Sequence, residues 1–261
     1  VHGGETLLRK DIGYLVDYMG HKGFYVNLVT NGLLLRQKYK EIRNVDSLCI
    51  SLDGAEVGND LNRGKGTFKK ILDAIILAKK EGFRLRVQAT LTKHTSPDIE
   101  FLANLAQEIG FELEFSLLYK PTNYKMDSAM DDNESRETLY KILEMKKKDY
   151  NIFTSYTVLE NAINWPFSYS KSKIFSSEVP RSFKKIDCYY GKTKMIIDAD
   201  GFVYPCFPMI DDFKPLNIKN VGIKKAFDHV RKTNPCVACC HLTNNDHNLL
   251  LGLSLKQIWD V

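Results

Sequence analysis

The chain has no apolar run near the roughly 18 residues needed to cross a membrane, so no membrane span is expected. Its 44% hydrophobic and 26% charged residues are those of an ordinary globular protein. Cysteine is nearly missing from the first 187 residues, where only Cys49 occurs. With 261 residues the chain can bury a sizeable core and needs no crosslinks to fold, which removes the disulfide-stapled mini-proteins from consideration. Charge of neither sign dominates: 37 basic and 32 acidic residues leave +5. The basic runs, Lys146-Lys147-Lys148 and Lys184-Lys185, are short and lack interleaved arginine and aromatic residues, so nucleic acid is not an expected partner. Also lacking are an initiator methionine and a secretory core at the start, Val1-His2-Gly3-Gly4. The chain therefore reads as a fragment, and a missing targeting segment excludes little.

What is there is alternation. Phe24 to Val29 reads as a strand, followed by Thr30-Asn31-Gly32 and a helix from Leu33 to about Ile42. Val45 to Leu52 reads as the next strand, ending at Asp53-Gly54, and a polar loop follows. Thr67 to Glu81 carries Phe68, Ile71, Leu72, Ile75, Ile76 and Ala78 at the spacing of one helical face. Phe83 to Leu91 is a further strand, Pro97 to Ile109 a helix closed by Gly110, and Phe111 to Leu118 a strand again. Strands alternating with helices of this length predict parallel pairing through right-handed crossovers, in an open sheet or a barrel. Ligands then sit at the C-terminal strand ends, where Gly3-Gly4-Glu5, Thr30-Asn31-Gly32, Ser51, Asp53 and Thr90 to Thr92 fall. Beyond Pro121 the alternation stops: Glu134 to Lys148 reads as one helix, and Asn151 to Lys185 as an irregular, substrate-facing linker. Its aromatic residues Trp165, Phe167, Tyr169 and Phe183 either line a cavity or simply pack.

The remaining five cysteines are Cys188, Cys206, Cys236, Cys239 and Cys240. Clustered thiols beside an α/β core of cytosolic type suit zinc or an iron–sulfur cluster better than disulfides, and four close either site. Cys236-Val237-Ala238-Cys239 is a CxxC, and Asp200-Gly201 between β-rich runs predicts a hairpin joining Cys188 to Cys206. Cys49, within Leu48-Cys49-Ile50, reads as a core thiol.

Gly3-Gly4-Glu5-Thr6 resembles the Gly-Gly-Glu-Pro motif of radical S-adenosylmethionine (SAM) enzymes, with Thr6 in place of Pro. Val29-Thr30-Asn31-Gly32, Ser51-Leu52-Asp53-Gly54 and Asn59 to Phe68 follow in that family's order. The tail, Cys188, then Gly201, then Cys206, then CxxC, resembles the SPASM or shorter twitch auxiliary-cluster domain of the same enzymes. The resemblance implies a partial parallel (β/α)6 barrel over residues 1–120, a linker over 121–185 and an auxiliary domain over 186–261. It implies that Glu5, with Gly3 and Gly4, receives the methionyl amino group, and that Arg63 holds the carboxylate. Asn31, Ser51 and Asp53 are implied as further SAM contacts, Ser51 and Asp53 near carboxylate and ribose. One auxiliary 4Fe-4S cluster is implied on Cys188, Cys206, Cys236 and Cys239, with Cys240 as the rival for the last place.

A catalytic 4Fe-4S cluster held by CxxxCxxC, absent from this sequence, would precede the Gly-Gly-Glu strand. The chain is therefore read as N-terminally incomplete, lacking its first βα unit and inactive as written. The resemblance also implies a cytoplasmic oxidoreductase that takes electrons from a donor such as flavodoxin or ferredoxin and abstracts hydrogen from a peptide or small metabolite. Phe207 stands where sulfatase-maturing relatives carry an acidic residue, which argues against that activity. The alternative is a non-catalytic zinc- or Fe–S-binding scaffold on the same fold.

Overall fold

In the computed structural model, which describes residues 1, 3–118, 127–171 and 173–253, the chain divides into two compact units. The first comprises Val1–Ser116 and Glu144–Phe153, the second Leu117–Leu143 and Thr154–Val261.

Unit 1 runs α1 (Ile12–His21), β1 (Asn27–Thr30), α2 (Leu35–Lys38), β2 (Ser47–Ser51), α3 (Glu56–Arg63), α4 (Thr67–Lys80), β3 (Leu85–Leu91), α5 (Ile99–Ile109) and β4 (Glu112–Leu117). The sheet order is β1-β2-β3-β4, with β1–β2 and β2–β3 parallel. Strands in sequence order joined by right-handed crossovers place every connecting helix on one face of the sheet. That makes the sheet singly wound, as in a barrel, rather than covered on both faces. The register Leu48↔Leu85 and Ile50↔Val87 sets the apolar side chains on the helix side, where Ile71, Ala74, Ile75 and Ala78 of α4 are buried. Burying each such aliphatic side chain contributes roughly 1.5–3 kcal/mol. The register Cys49↔Arg86 and Ser51↔Gln88 leaves a polar row on the inner face.

Several elements differ from the sequence reading. β1 begins at Asn27, and Phe24 and Tyr25 are exposed. The helix after it is a single turn, Leu35–Lys38, and starts beyond Gly32 (φ +80°), which turns the chain where a Cβ would press on Ile50 and Ala74. The expected polar loop after Gly54 is helix α3, missed because it is short and its only large apolar residues, Val57 and Leu61, stay exposed; Ile76 of α4 is exposed as well. Asp60, on α3, supplies the cap that α4 lacks at Gly66: it accepts the Gly66 N–H, the Phe68 N–H (2.9 Å) and the Thr67 hydroxyl (3.2 Å).

Those bonds, Gly66 first and Phe68 next, hold the Asp60 carboxyl below its ordinary value. A depressed carboxylate stabilises the fold above its unfolded-state value and stops doing so as pH falls through the lower folded value. Asp60→Asn is accordingly expected to lower the melting temperature at pH 7 and to make little difference near pH 2, measured by circular dichroism.

Unit 2 holds most of α6 (Asp132–Lys147), α7 (Tyr156–Ile163), the sheet β5 (Ile196–Ile197), β6 (Phe202–Tyr204) and β7 (Leu216–Asn217), then α8 (Ile218–Val221), α9 (Ile223–Thr233) and α10 (Leu242–Leu251). The expected hairpin forms between β5 and β6, with Gly201 at φ +98° and the Asp198 carboxylate accepting three successive N–H groups of its turn. Strand β7 was not anticipated. The stretch Asn151–Lys185 is less irregular than expected: it contains α7, capped by Ser155, and Trp165 is buried edge to face against Phe167 and Phe183. These aromatic residues therefore pack on one another. Among the described residues no helix is long and apolar enough to cross a membrane.

Candidate functional site

The Gly-Gly-Glu segment and the Thr-Asn-Gly turn meet at the end of β1. Glu5 Oε1 accepts the Leu7 N–H (2.9 Å), capping a short turn, and the Thr30 hydroxyl (2.6 Å). Its Oε2 accepts the Asn31 N–H at 2.7 Å. The carboxylate is thus fixed in place with acceptor capacity left on Oε2. A Cβ on Gly3 or Gly4 would meet nothing within 4 Å, so the backbone beside Glu5 is open.

At the ends of β2 and β3 a second cluster forms around Asp53, which is 3% exposed. Its Oδ1 accepts Arg63 Nη2 at 2.8 Å and the Thr90 N–H at 2.9 Å, and Oδ2 accepts Asn62 Nδ2 at 3.3 Å. Asp53 therefore grips Arg63, leaving the Arg63 Nε–H buried without a protein partner. The two clusters share a cavity of about 220 Å³, lined by Asn31, Leu33, Asn62, Arg63, Thr67 and Ile71. That volume is below the roughly 300–1,000 Å³ of a whole small-molecule site and suits the polar head of a larger ligand. Ser51 lies at the end of β2, opposite Gln88. Thr90 is one of the strand-end residues noted in the sequence, whereas Asn62, in the last turn of α3, was not singled out; the β2–β3 register and the course of α3 bring both to Asp53.

In unit 2 the cysteines gather from three separate segments. Cys206 follows β6, Cys188 precedes the hairpin, and the CxxC backbone is braced when the Val237 N–H donates to the Ile174 carbonyl (2.9 Å) and Ala238 bridges Ile174. Burial pushes the Cys206 thiol up to about 12, and charge on Cys236 and Cys188 adds to it. Cys188 is raised by burial and by Cys236; Cys239 is raised strongly by burial, then by Cys188, Cys240 and Cys206. Charges on these four thiols, and on Cys240, thus act across the cluster. Cys240 differs in its contacts: its thiol donates to the Tyr169 carbonyl at 3.7 Å, and burial followed by the charge of Asp132 holds it near 12. Among the described residues no three His, Cys, Asp or Glu side chains converge tightly enough for a single metal ion. Cys49 is buried on the inner face of β2, its thiol pushed up to about 12 by burial and then by Glu114.

Residues 1–106 match the family model described as the radical SAM superfamily. Over those residues, which include Glu5, Ser51, Asp53 and Arg63, the chain is similar to the radical SAM superfamily. Its curated relatives include the Fe-coproporphyrin III synthase of Methanosarcina barkeri, 30% identical over 65% of this chain and 45% of that one. Another is the mycofactocin maturase MftC of Mycobacterium ulcerans, 27% identical over 90% of this chain and 61% of that one. The chain spans about half the length of the curated radical SAM relatives it matches first, at 45%, 44% and 48%. Among solved radical SAM folds, anSMEcpe with bound AdoMet and Kp18Cys peptide superposes with a TM-score of 0.68 at 21% identity, over 88% of this chain and 67% of that one. Streptococcus suis SuiB bound to precursor peptide SuiA gives 0.62 at 17%, over 89% and 53%. The α/β class, the parallel sheet and the family read from the sequence are therefore correct.

Proposed function

We propose that this protein is a radical SAM enzyme that binds SAM at the strand ends of unit 1, carries one auxiliary 4Fe-4S cluster on Cys188, Cys206, Cys236 and Cys239, and modifies a peptide. The observation that carries the SAM site is the unpaired, buried Arg63 Nε–H beside a cavity shared with Asn31. An orphaned guanidinium donor calls for an anion, and the methionyl carboxylate supplies one. Glu5 Oε2 accepts from the amino group, and Gly3 and Gly4 let the ligand approach the backbone. Ser51 contributes a hydroxyl to the carboxylate or ribose. Asp53, whose Oδ1 accepts from Arg63, holds that guanidinium in position beside the carboxylate. With one electron relayed from a donor such as flavodoxin or ferredoxin through a catalytic 4Fe-4S cluster held by a CxxxCxxC segment, bound SAM would be cleaved to methionine and a 5′-deoxyadenosyl radical that abstracts hydrogen from substrate. The protein's own part is to hold SAM's charged head and exclude water.

Four thiolates from three segments, two of them in one CxxC, match the donor set of a 4Fe-4S cluster, which aids electron transfer or substrate binding. A peptide substrate is favoured by the likeness of this chain's fold to two peptide-bound enzymes over nearly nine-tenths of its length. Anaerobic reconstitution of the longest natural form of the protein, followed by assay of 5′-deoxyadenosine, tests the reading. Cleavage of SAM by iron-loaded protein is expected. Protein that takes up zinc alone and leaves SAM intact would instead be a scaffold on this fold.

A further inference from the structure

The inner face of the unit 1 sheet carries a polar group of side chains that the SAM site does not use. Glu114, on β4, is 2% exposed. Its Oε2 lies 3.4 Å from Arg86 Nη1, and Glu112 Oε2 lies 3.4 Å from Arg86 Nη2. Both ion pairs are long. Glu114 Oε1 and Arg86 Nε are buried and have no partner among the protein atoms. Phe153 covers the guanidinium, its ring centroid 3.3 Å from Arg86 Cζ. A buried network left half satisfied is unfavourable and asks for a further group.

The two orphans define that group: Glu114 Oε1 needs a donor and Arg86 Nε–H needs an acceptor. A cation would leave Arg86 unpaired, and an anion would face two carboxylates across one guanidinium. A neutral amide carries both an N–H donor and a C=O acceptor, on opposite edges of a trans peptide bond and on one edge of a primary amide, and so can answer both.

We propose that Glu114 and Arg86, roofed by Phe153, form a site for an amide group of the substrate. This rests on the peptide reading above and deepens it. Cys49, the register partner of Arg86, feels charge from Glu114, Arg86 and Arg63 alike, so the amide site and the candidate SAM site adjoin on one face. Arg86 precedes Thr90 by four residues, about 13 Å along the strand. An anchored amide therefore lies about four extended residues from the strand ends, which fits a peptide better than a compact metabolite.

The test needs no cluster and no turnover, so it can fail independently of SAM cleavage. Binding of N-acetyl-triglycine methylamide, of propanamide and of the depsipeptide with an ester at the central linkage is followed by saturation-transfer NMR on the full chain. Wild-type protein is expected to prefer the triglycine amide over its ester at least tenfold. Glu114→Gln and Arg86→Met are expected to cut that preference below threefold, with folding checked by circular dichroism. If the variants do not fold, slower alkylation of Cys49 in wild-type protein at saturating amide, but not ester, reports the same occupancy. Tighter binding of propanamide would support the site and assign it to an Asn or Gln side chain rather than the peptide backbone. Equal binding of amide and ester would overturn it, as would an ordered water that bridges Glu114 Oε1 and Arg86 Nε and persists at saturating probe.

Discussion

Replacing Cys188, Cys206, Cys236 or Cys239 singly by Ser is expected to reduce iron and acid-labile sulfide in the reconstituted 261-residue chain at least about tenfold. Cys240→Ser should leave both unchanged. Burial raises Cys188, Cys206 and Cys239, so their thiolates form only when a bound metal compensates the charge. Removing one of four such ligands leaves an open coordination position in a site closed by four. Cys240 is sequestered against the Tyr169 carbonyl, so its loss removes a packing contact rather than a ligand. Iron retained in Cys239→Ser but lost in Cys240→Ser would reverse the assignment. The same substitutions should abolish the electron paramagnetic resonance signal of the reduced auxiliary cluster.

The second large effect concerns the strand ends. Arg63→Met is expected to weaken SAM binding at least about tenfold, the loss of one charge-assisted contact, measured by equilibrium dialysis. Asp53→Asn should have a similar effect without touching the ligand. The amide keeps an acceptor for the Thr90 N–H but removes the charge that holds Arg63. It should also cost about 2 kcal/mol of stability, since a buried charged hydrogen bond is lost. A variant that is less stable yet binds SAM normally would show that Asp53 is a structural anchor alone and that SAM is not held at Arg63. Glu5→Gln provides the contrast: its one carbonyl oxygen can keep the bonds from Thr30 and Leu7, but its NH2 cannot accept from the Asn31 N–H, and the charge offered to an ammonium group is removed.

Much of this was legible in the chain because short-range chemistry encodes it. The periodicity of Ile71, Ala74, Ile75 and Ala78 is the buried stripe of α4, and Gly110, at φ +79°, ends α5 where a left-handed residue was needed. The β5–β6 turn follows from Asp198, Asp200 and Gly201. Helix α3 escaped because its two apolar residues, Val57 and Leu61, are few and stay exposed: it is held by the Asp53–Asn59 and Asp60–Phe68 contacts rather than by a buried stripe. In the linker, α7 was hidden by its aromatic surroundings, although Ser155 marks its start.

The motifs in their order, the alternation of strands and helices, and the crowding of cysteines into the last third were properties of the sequence alone, because each depends on neighbours within a few residues or on simple counting. Which cysteine stands aside, which carboxylate Arg63 meets, and where Glu114 and Arg86 leave an acceptor and a donor unanswered were decided by the tertiary structure. Those outcomes join residues such as Ala238 to Ile174 and Thr90 to Asp53 across long stretches of chain. No local propensity reports them: they depend on strand register and crossover handedness, which settle only when the whole sheet forms.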